Sequence, residues 1–254
     1  MVVTTRSPTL QRTFDRLDLD PIAIEAFCHP SPISPTMSRN SPNPRLSAAK
    51  KRKFSSFTKS QAFELLHLRE LLPWDITADP VPLTSFFQER WARLRRNFDL
   101  ESYEESKKLL IDAICDEALN PLDRLKIWKG AKLEGRSAIG YVDYLIAEQR
   151  RYLTNPLLCV IEAKKDNFEQ GLAQCLVELE ACAWQNQRQG QEISVYGIVT
   201  NGEGWRFYRL DPLGADRVVV YETPLYSTGD MEQLLGRLRQ VFIGCQRNLA
   251  PNED

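Results

Sequence analysis

Val160-Ile161-Glu162-Ala163-Lys164-Lys165-Asp166 sets a carboxylate and an ammonium two residues apart at the end of an apolar run. On a β-strand such residues share a face, so Glu162 and Lys164 stand side by side while Ile161 and Ala163 pack behind them. Gly140-Tyr141-Val142-Asp143 precedes this run, with Asp143 nineteen residues before Glu162. If the two segments pair as antiparallel strands, Asp143 approaches Glu162. Adjacent carboxylates repel, and a bound cation or a shifted pKa must relieve them. Mg²⁺ suits the pair, with Mn²⁺ as a substitute: it takes hard oxygen ligands, keeps several waters, and needs only one or two carboxylates plus phosphate oxygens from a substrate. The predicted metal ligands are therefore Asp143 and Glu162, with the Ala163 carbonyl as a further candidate. Lys164 would position a water or stabilise charge on phosphorus.

A Glu-x-Lys triplet arises about once by chance in a chain this long, so its weight comes from its surroundings. Competing chemistries lack their parts. There is no GxSxG, no HExxH and no Walker phosphate loop, and only two histidines, His29 and His67. Catalysis by this chain would rest on carboxylates and lysine.

The elements that must hold these residues follow from periodicity. A helical stripe runs from Thr58 through Ala62, Leu65, Leu66 and Leu68 to Leu71 or Leu72, closed by Pro73. Ser85 with Gln88, and Ser102 with Glu105, have capping-box spacing for two further helices. On the second of these, Leu110, Ile114, Glu117 and Ala118 share one face, so Glu117 is the carboxylate aimed at the core; alone it reads as a rim residue with a packed stem. Residues 139–147 and 157–163 are β-rich, residues 167–184 are helical, and residues 193–200 and 205–210 flank the turn Asn201-Gly202-Glu203-Gly204. Residues 218–221 would add an edge strand, and a last helix from Asp230 faces Leu234, Leu235, Leu238, Val241, Phe242 and Cys245 inward. Trp205, Phe207 and Tyr208 could stack on bases, but at strand spacing Trp205 and Phe207 read as core. Tyr141 and Tyr144 stay open between the two roles. The predicted class is α/β, a mixed central β-sheet with helices on both faces.

Gly140-Tyr141-Val142-Asp143, then Val160-Ile161-Glu162-Ala163-Lys164, Gly171-Leu172-Ala173-Gln174 in the next helix, and Tyr196-Gly197-Ile198-Val199-Thr200-Asn201-Gly202 after it resemble the PD-(D/E)XK nuclease superfamily. The likeness is strongest to restriction-type endonucleases and their bacterial relatives, and spans about residues 105–210. It implies a restriction-endonuclease-like fold and a Mg²⁺-dependent endonuclease that hydrolyses phosphodiesters in DNA, ahead of RNA. By that resemblance Asp143 and Glu162 hold the metal, Lys164 serves the attacking water, Glu117 is the helix carboxylate and Gln174 orients the site, with Gln170 the competing glutamine. No proline precedes Asp143, a departure from the common pattern. The other reading is a catalytically inactive nuclease-fold module that binds nucleic acid or protein.

Composition bounds these readings. Of the 15 prolines, 7 fall in residues 1–55, together with 9 basic and 4 acidic side chains, so this segment is expected to be a disordered basic tail. It carries a PxxP at Pro32-Ile33-Ser34-Pro35, a helical stretch near 20–27 and the block Lys50-Lys51-Arg52-Lys53, read as a solvated linker end or a phosphate contact. Residues 56–254 then form one domain: a helical part over 56–100, the nuclease-like core over 101–210, and a strand and helix over 211–254. Across the chain 33 basic and 34 acidic groups leave a net charge of −1, which puts a basic tail against an acidic core. Six scattered cysteines without a CxxC exclude a zinc cage or a disulfide framework. No apolar run reaches the ~18 residues of a membrane span, and residues 1–20 lack a secretory apolar core. A cytoplasmic protein without a membrane partner is expected.

Overall fold

Every residue of Leu157–Ala163 is buried, including Glu162, as a strand covered on both faces must be. The computed structural model describes residues 50–164, 166–214 and 217–249. In chain order these form β1 (Arg52–Lys53), a 3₁₀ turn (Phe54–Ser56), α1 (Lys59–Leu65), β2 (Leu72–Pro73), α2 (Ser85–Asn97) and α3 (Glu104–Leu119). There follow β3 (Leu125–Glu134), β4 (Ala138–Glu148), β5 (Leu157–Ala163), α4 (Phe168–Gln187), β6 (Val195–Thr200), β7 (Gly204–Pro212), β8 (Val218–Glu222), β9 (Tyr226–Ser227) and α5 (Met231–Arg247). The nine strands make one mixed sheet in the order β1-β4-β5-β6-β7-β8-β2, with β3 on β4 and β9 on β7. Parallel β5 and β6 are joined through α4, the crossover that parallel pairing requires.

Two apolar layers sandwich the sheet. One joins α2, α3 and α5 to residues such as Tyr144, Ile146, Ile161 and Phe207. The other joins Phe54, Phe57, α1 and α4 to Val142, Val160, Val199 and Tyr208. The α/β class with helices on both faces is therefore what the chain adopts. Leu234, Leu235, Leu238, Val241, Phe242 and Cys245 of α5 are all buried, as their period requires. Each large side chain among them contributes about 1.5–3 kcal/mol relative to exposure. Trp205 and Phe207 are core, Tyr144 is buried, and Tyr141 is exposed.

Several boundaries differ from the sequence reading. The expected tail lies outside the described residues up to 49, as do its PxxP and its helical stretch. The folded part already includes β1, which pairs parallel with Ala138 and Ile139. Two members of the basic block are structural: Lys51 bonds Glu134 at 2.6 Å and the Gly135 carbonyl at 2.7 Å, and Arg52 bonds the Ser56 carbonyl and Gln61. The stripe over 58–72 breaks after Leu65 because His67 takes φ 55, and Leu72–Pro73 becomes a strand beside β8. Pro73 supports this, since a proline disfavours helical backbone in the residue before it. Strand β8 is thus flanked rather than terminal. The cap of α2 is Thr84, whose hydroxyl accepts from the Phe87 N–H at 3.1 Å, one residue before the expected Ser85. Helix α3 begins two residues after Ser102, behind Tyr103, without a side-chain cap. Among the described residues no helix is long and apolar enough to cross a membrane.

Candidate active site

Pairing along β4 is uneven, and the unevenness creates the site. On one edge β3 follows β4 from Ile139 to Glu148. On the other, β5 covers Tyr144 to Ala147 and β1 covers only Ala138 and Ile139. Residues 140–143 lie between these two partners. The ring of Phe54 packs over Gly140, where a Cβ would come within 2.8 Å of its Cδ2, so glycine is needed for that close approach. Asp143 comes one step past the last ladder pair, Tyr144 with Ile161, and the register puts it across from Glu162. In place of a ladder bond, the Ala163 N–H donates to Asp143 Oδ2 at 2.9 Å.

Both carboxylates are engaged by lysines. Lys108 of α3 places Nζ 2.9 Å from Asp143 Oδ1 and 2.9 Å from Glu105 Oε2. Lys164 pairs with Glu162 Oε1. The other oxygen of Glu162, Oε2, is buried and has no hydrogen-bond partner among the described residues. Burial, and then the charge of Asp143, raise the Glu162 carboxyl to about 7 in spite of Lys164. Burial works against the charge of Lys164, but Glu162 outweighs it and holds the ammonium above its ordinary range. The charge of Glu104, in the first turn of α3, acts on both groups.

Two elements set Lys164. Its backbone N–H donates to the Thr200 carbonyl at 2.9 Å, continuing the parallel β5–β6 pairing beyond Ala163. Gly171, in the first turn of α4, leaves the space its stem uses: a Cβ there would be 3.1 Å from Lys164 Cγ and 2.6 Å from Val199 Cγ1. One turn further, Gln174 Nε2 donates to Glu178 Oε1 at 2.9 Å. Glu178 is fully buried, and burial followed by the charge of Glu162 pushes its carboxyl well above the usual range.

The fold brings Asp143, Glu162 and Lys164 together and sets Gln174 behind them through Glu178. It separates the remaining candidates. Glu117 accepts from the Thr84 N–H at 3.1 Å and the Thr84 hydroxyl at 3.0 Å, so it ties the start of α2 to α3. It lies nine residues beyond Lys108 on α3, about 14 Å at helical rise, and is not part of the site. Gln170 donates to the Ser55 and Phe57 carbonyls and fastens the N-terminal segment, whereas Gln174 is bonded to the buried Glu178.

Lys108 and Glu178 escaped the sequence reading. Nothing local links Lys108 to Asp143. Glu178 did carry a signal, because it shares the stripe of Gly171, Gln174, Cys175 and Cys182 on α4.

Among the described residues no three His, Cys, Asp or Glu side chains gather as a cation cage. Asp143 and Glu162 are the residues that would hold a divalent ion, with waters and substrate oxygens completing its shell. The buried, unpartnered Glu162 Oε2 fits a hard cation, since a bare carboxylate oxygen away from water is otherwise costly. No protein-family model matches this chain, and no curated protein matches it significantly.

Proposed function

We propose that this domain is a metal-dependent endonuclease of the restriction-endonuclease-like fold, acting on phosphodiester bonds in DNA ahead of RNA. The observation that carries the reading is Asp143 across from Glu162 where β4 and β5 part, with Lys164 paired to Glu162. A Mg²⁺ or Mn²⁺ ion held by Asp143 and Glu162 would supply a water of lowered pKa and offset charge on the phosphate. Asp143 is kept in place by the Ala163 N–H, so its carboxylate is oriented before substrate arrives. Lys164, largely withdrawn from solvent and paired with Glu162, would serve the attacking water or the phosphate oxygens. Exposed Tyr141 lies two residues before Asp143 with Lys132 across from it on β3, a stacking surface and a cation suited to nucleic acid. Five described cysteines are free and buried, which suits a reducing cytoplasm.

Purified protein with Mg²⁺ or Mn²⁺, assayed on single- and double-stranded DNA and RNA, tests this. The expected result is metal-dependent cleavage that Lys164→Ala lowers on the order of 10²–10⁴-fold. Absence of cleavage, with Lys164→Ala indistinguishable from wild type, would overturn the enzymatic reading.

One observation favours the second reading, a catalytically silent module. Both oxygens of Asp143 already have partners in the protein. That module would bind nucleic acid or protein without turnover and would take up no Mg²⁺.

A further inference from the structure

Lys108 links two acidic groups of very different exposure. Its Nζ is 2.9 Å from Asp143 Oδ1 and from Glu105 Oε2; the Asp143 side chain is 22% exposed and that of Glu105 82%. The Tyr144 hydroxyl donates to the Lys108 carbonyl at 3.2 Å and anchors this turn of α3 to β4. With Lys164 on Glu162 and Lys108 on Asp143, each candidate ligand carboxylate has its own ammonium. Lys108 is bonded to both Glu105 and Asp143, so it can leave one carboxylate without losing the other. Glu105 offers it an exposed partner to keep.

We propose that Lys108 is the resident counter-ion of Asp143, competing with a divalent cation for that carboxylate and retreating to Glu105 when the cation binds. The proposal rests on the metal-dependent reading above. It assigns Lys108 a regulatory role over metal affinity, beyond that of a fixed support. The two roles predict opposite signs. A support that merely orients a ligand weakens metal binding by about 10–100-fold when removed. A competitor strengthens it.

Calorimetric titration of Mn²⁺ into the full-length protein decides between them. Asp143→Asn should abolish binding. Lys108→Met should bind Mn²⁺ about tenfold more tightly, the size expected for loss of one partly shielded ion pair. The gain should persist at about 0.5 M salt, because the pair is in direct contact and partly buried, where salt screens least. Glu105→Gln should weaken Mn²⁺ binding several-fold, since the displaced lysine then has nowhere to go. In the Lys108→Met background the same change should have almost no effect. Lys108→Gln serves if Lys108→Met melts early by circular dichroism. Equal or weaker Mn²⁺ binding by the Lys108 variants, while Asp143→Asn abolishes it, overturns the proposal and leaves the metal site standing. An undiminished Glu105→Gln effect without Lys108 overturns it equally. No Mn²⁺ binding by wild type or variants removes the metal-dependent reading, and the proposal with it.

Discussion

The backbone N–H of Ala163 donates to Asp143 Oδ2 at 2.9 Å, so the strand that carries Glu162 also orients the carboxylate across from it. Asp143 is thus a structural acceptor as well as a candidate ligand. Replacing it with alanine leaves the buried Ala163 N–H without an acceptor, while Lys108 keeps Glu105. Asp143→Ala should lose about 1–3 kcal/mol by urea unfolding. Asp143→Asn keeps an acceptor for Ala163 and should lose less, while still abolishing metal uptake.

Glu162 gives stability an unusual slope with pH. Its carboxyl is raised to about 7 from an ordinary 4.5, so the folded protein holds the proton more tightly than the unfolded chain does. That contribution is fully present below about pH 4.5 and is lost as pH rises through about 7. Its size is on the order of 3 kcal/mol. Chemical denaturation from pH 4.5 to 8 in metal-free buffer should show this decline in wild type and a flatter curve for Glu162→Gln. Equal slopes would refute the assignment.

Glu178 is fully buried, and burial with the charge of Glu162 holds its carboxyl well above the ordinary range, which favours the neutral acid. Glutamine resembles that neutral acid in shape, and its amide could donate to the unpartnered Gln174 Oε1. Glu178→Gln should therefore unfold within about 1 kcal/mol of wild type at pH 7. Glu178→Ala should lose about 2–5 kcal/mol through the cavity it opens beneath the sheet.

Two glycines of the sheet and α4 separate packing from site geometry. A Cβ at Gly171 would meet Val199 at 2.6 Å and Lys164 at 3.1 Å; one at Gly197 would meet Cys175 Sγ at 2.6 Å. Both alanine variants should lose about 1–3 kcal/mol from overpacking. Only Gly171→Ala should lower cleavage beyond its loss of folded protein, because only there does the added methyl push on the catalytic candidate lysine. Activity per folded molecule, measured below both melting temperatures, checks the distinction.

Glu117 supplies the negative control for the site. Its carboxylate holds the N–H and hydroxyl of Thr84 at the start of α2. Glu117→Ala should lose about 1–3 kcal/mol of stability and leave Mn²⁺ affinity unchanged. A fall in metal affinity comparable to that of Asp143→Asn would return Glu117 to the site.

Local pattern was enough to read β4, β5, α4 and α5, because an apolar period of two or of three to four residues already states which side must be buried. Leu234, Leu238 and Phe242 declare the inner face of α5 without knowledge of what lies beneath it. The antiparallel pairing of residues 139–147 with 157–163 was also legible, and the Asp143–Glu162 juxtaposition follows from it by register alone. Other elements exist only because neighbours provide an edge. The two-residue strands β1 and β2 have no period to detect, and β3 hides its alternation at Lys129-Gly130, where Gly130 takes φ 61. The periodicity of α3 aimed Glu117 at the core, yet it could not say that its carboxylate meets Thr84 near one end while Lys108 meets Asp143 near the other. Periodicity is a property of neighbours along the chain. An ion pair across 35 residues, such as Lys108 with Asp143, leaves no trace in local sequence, because its energy depends only on where the fold delivers the two charges.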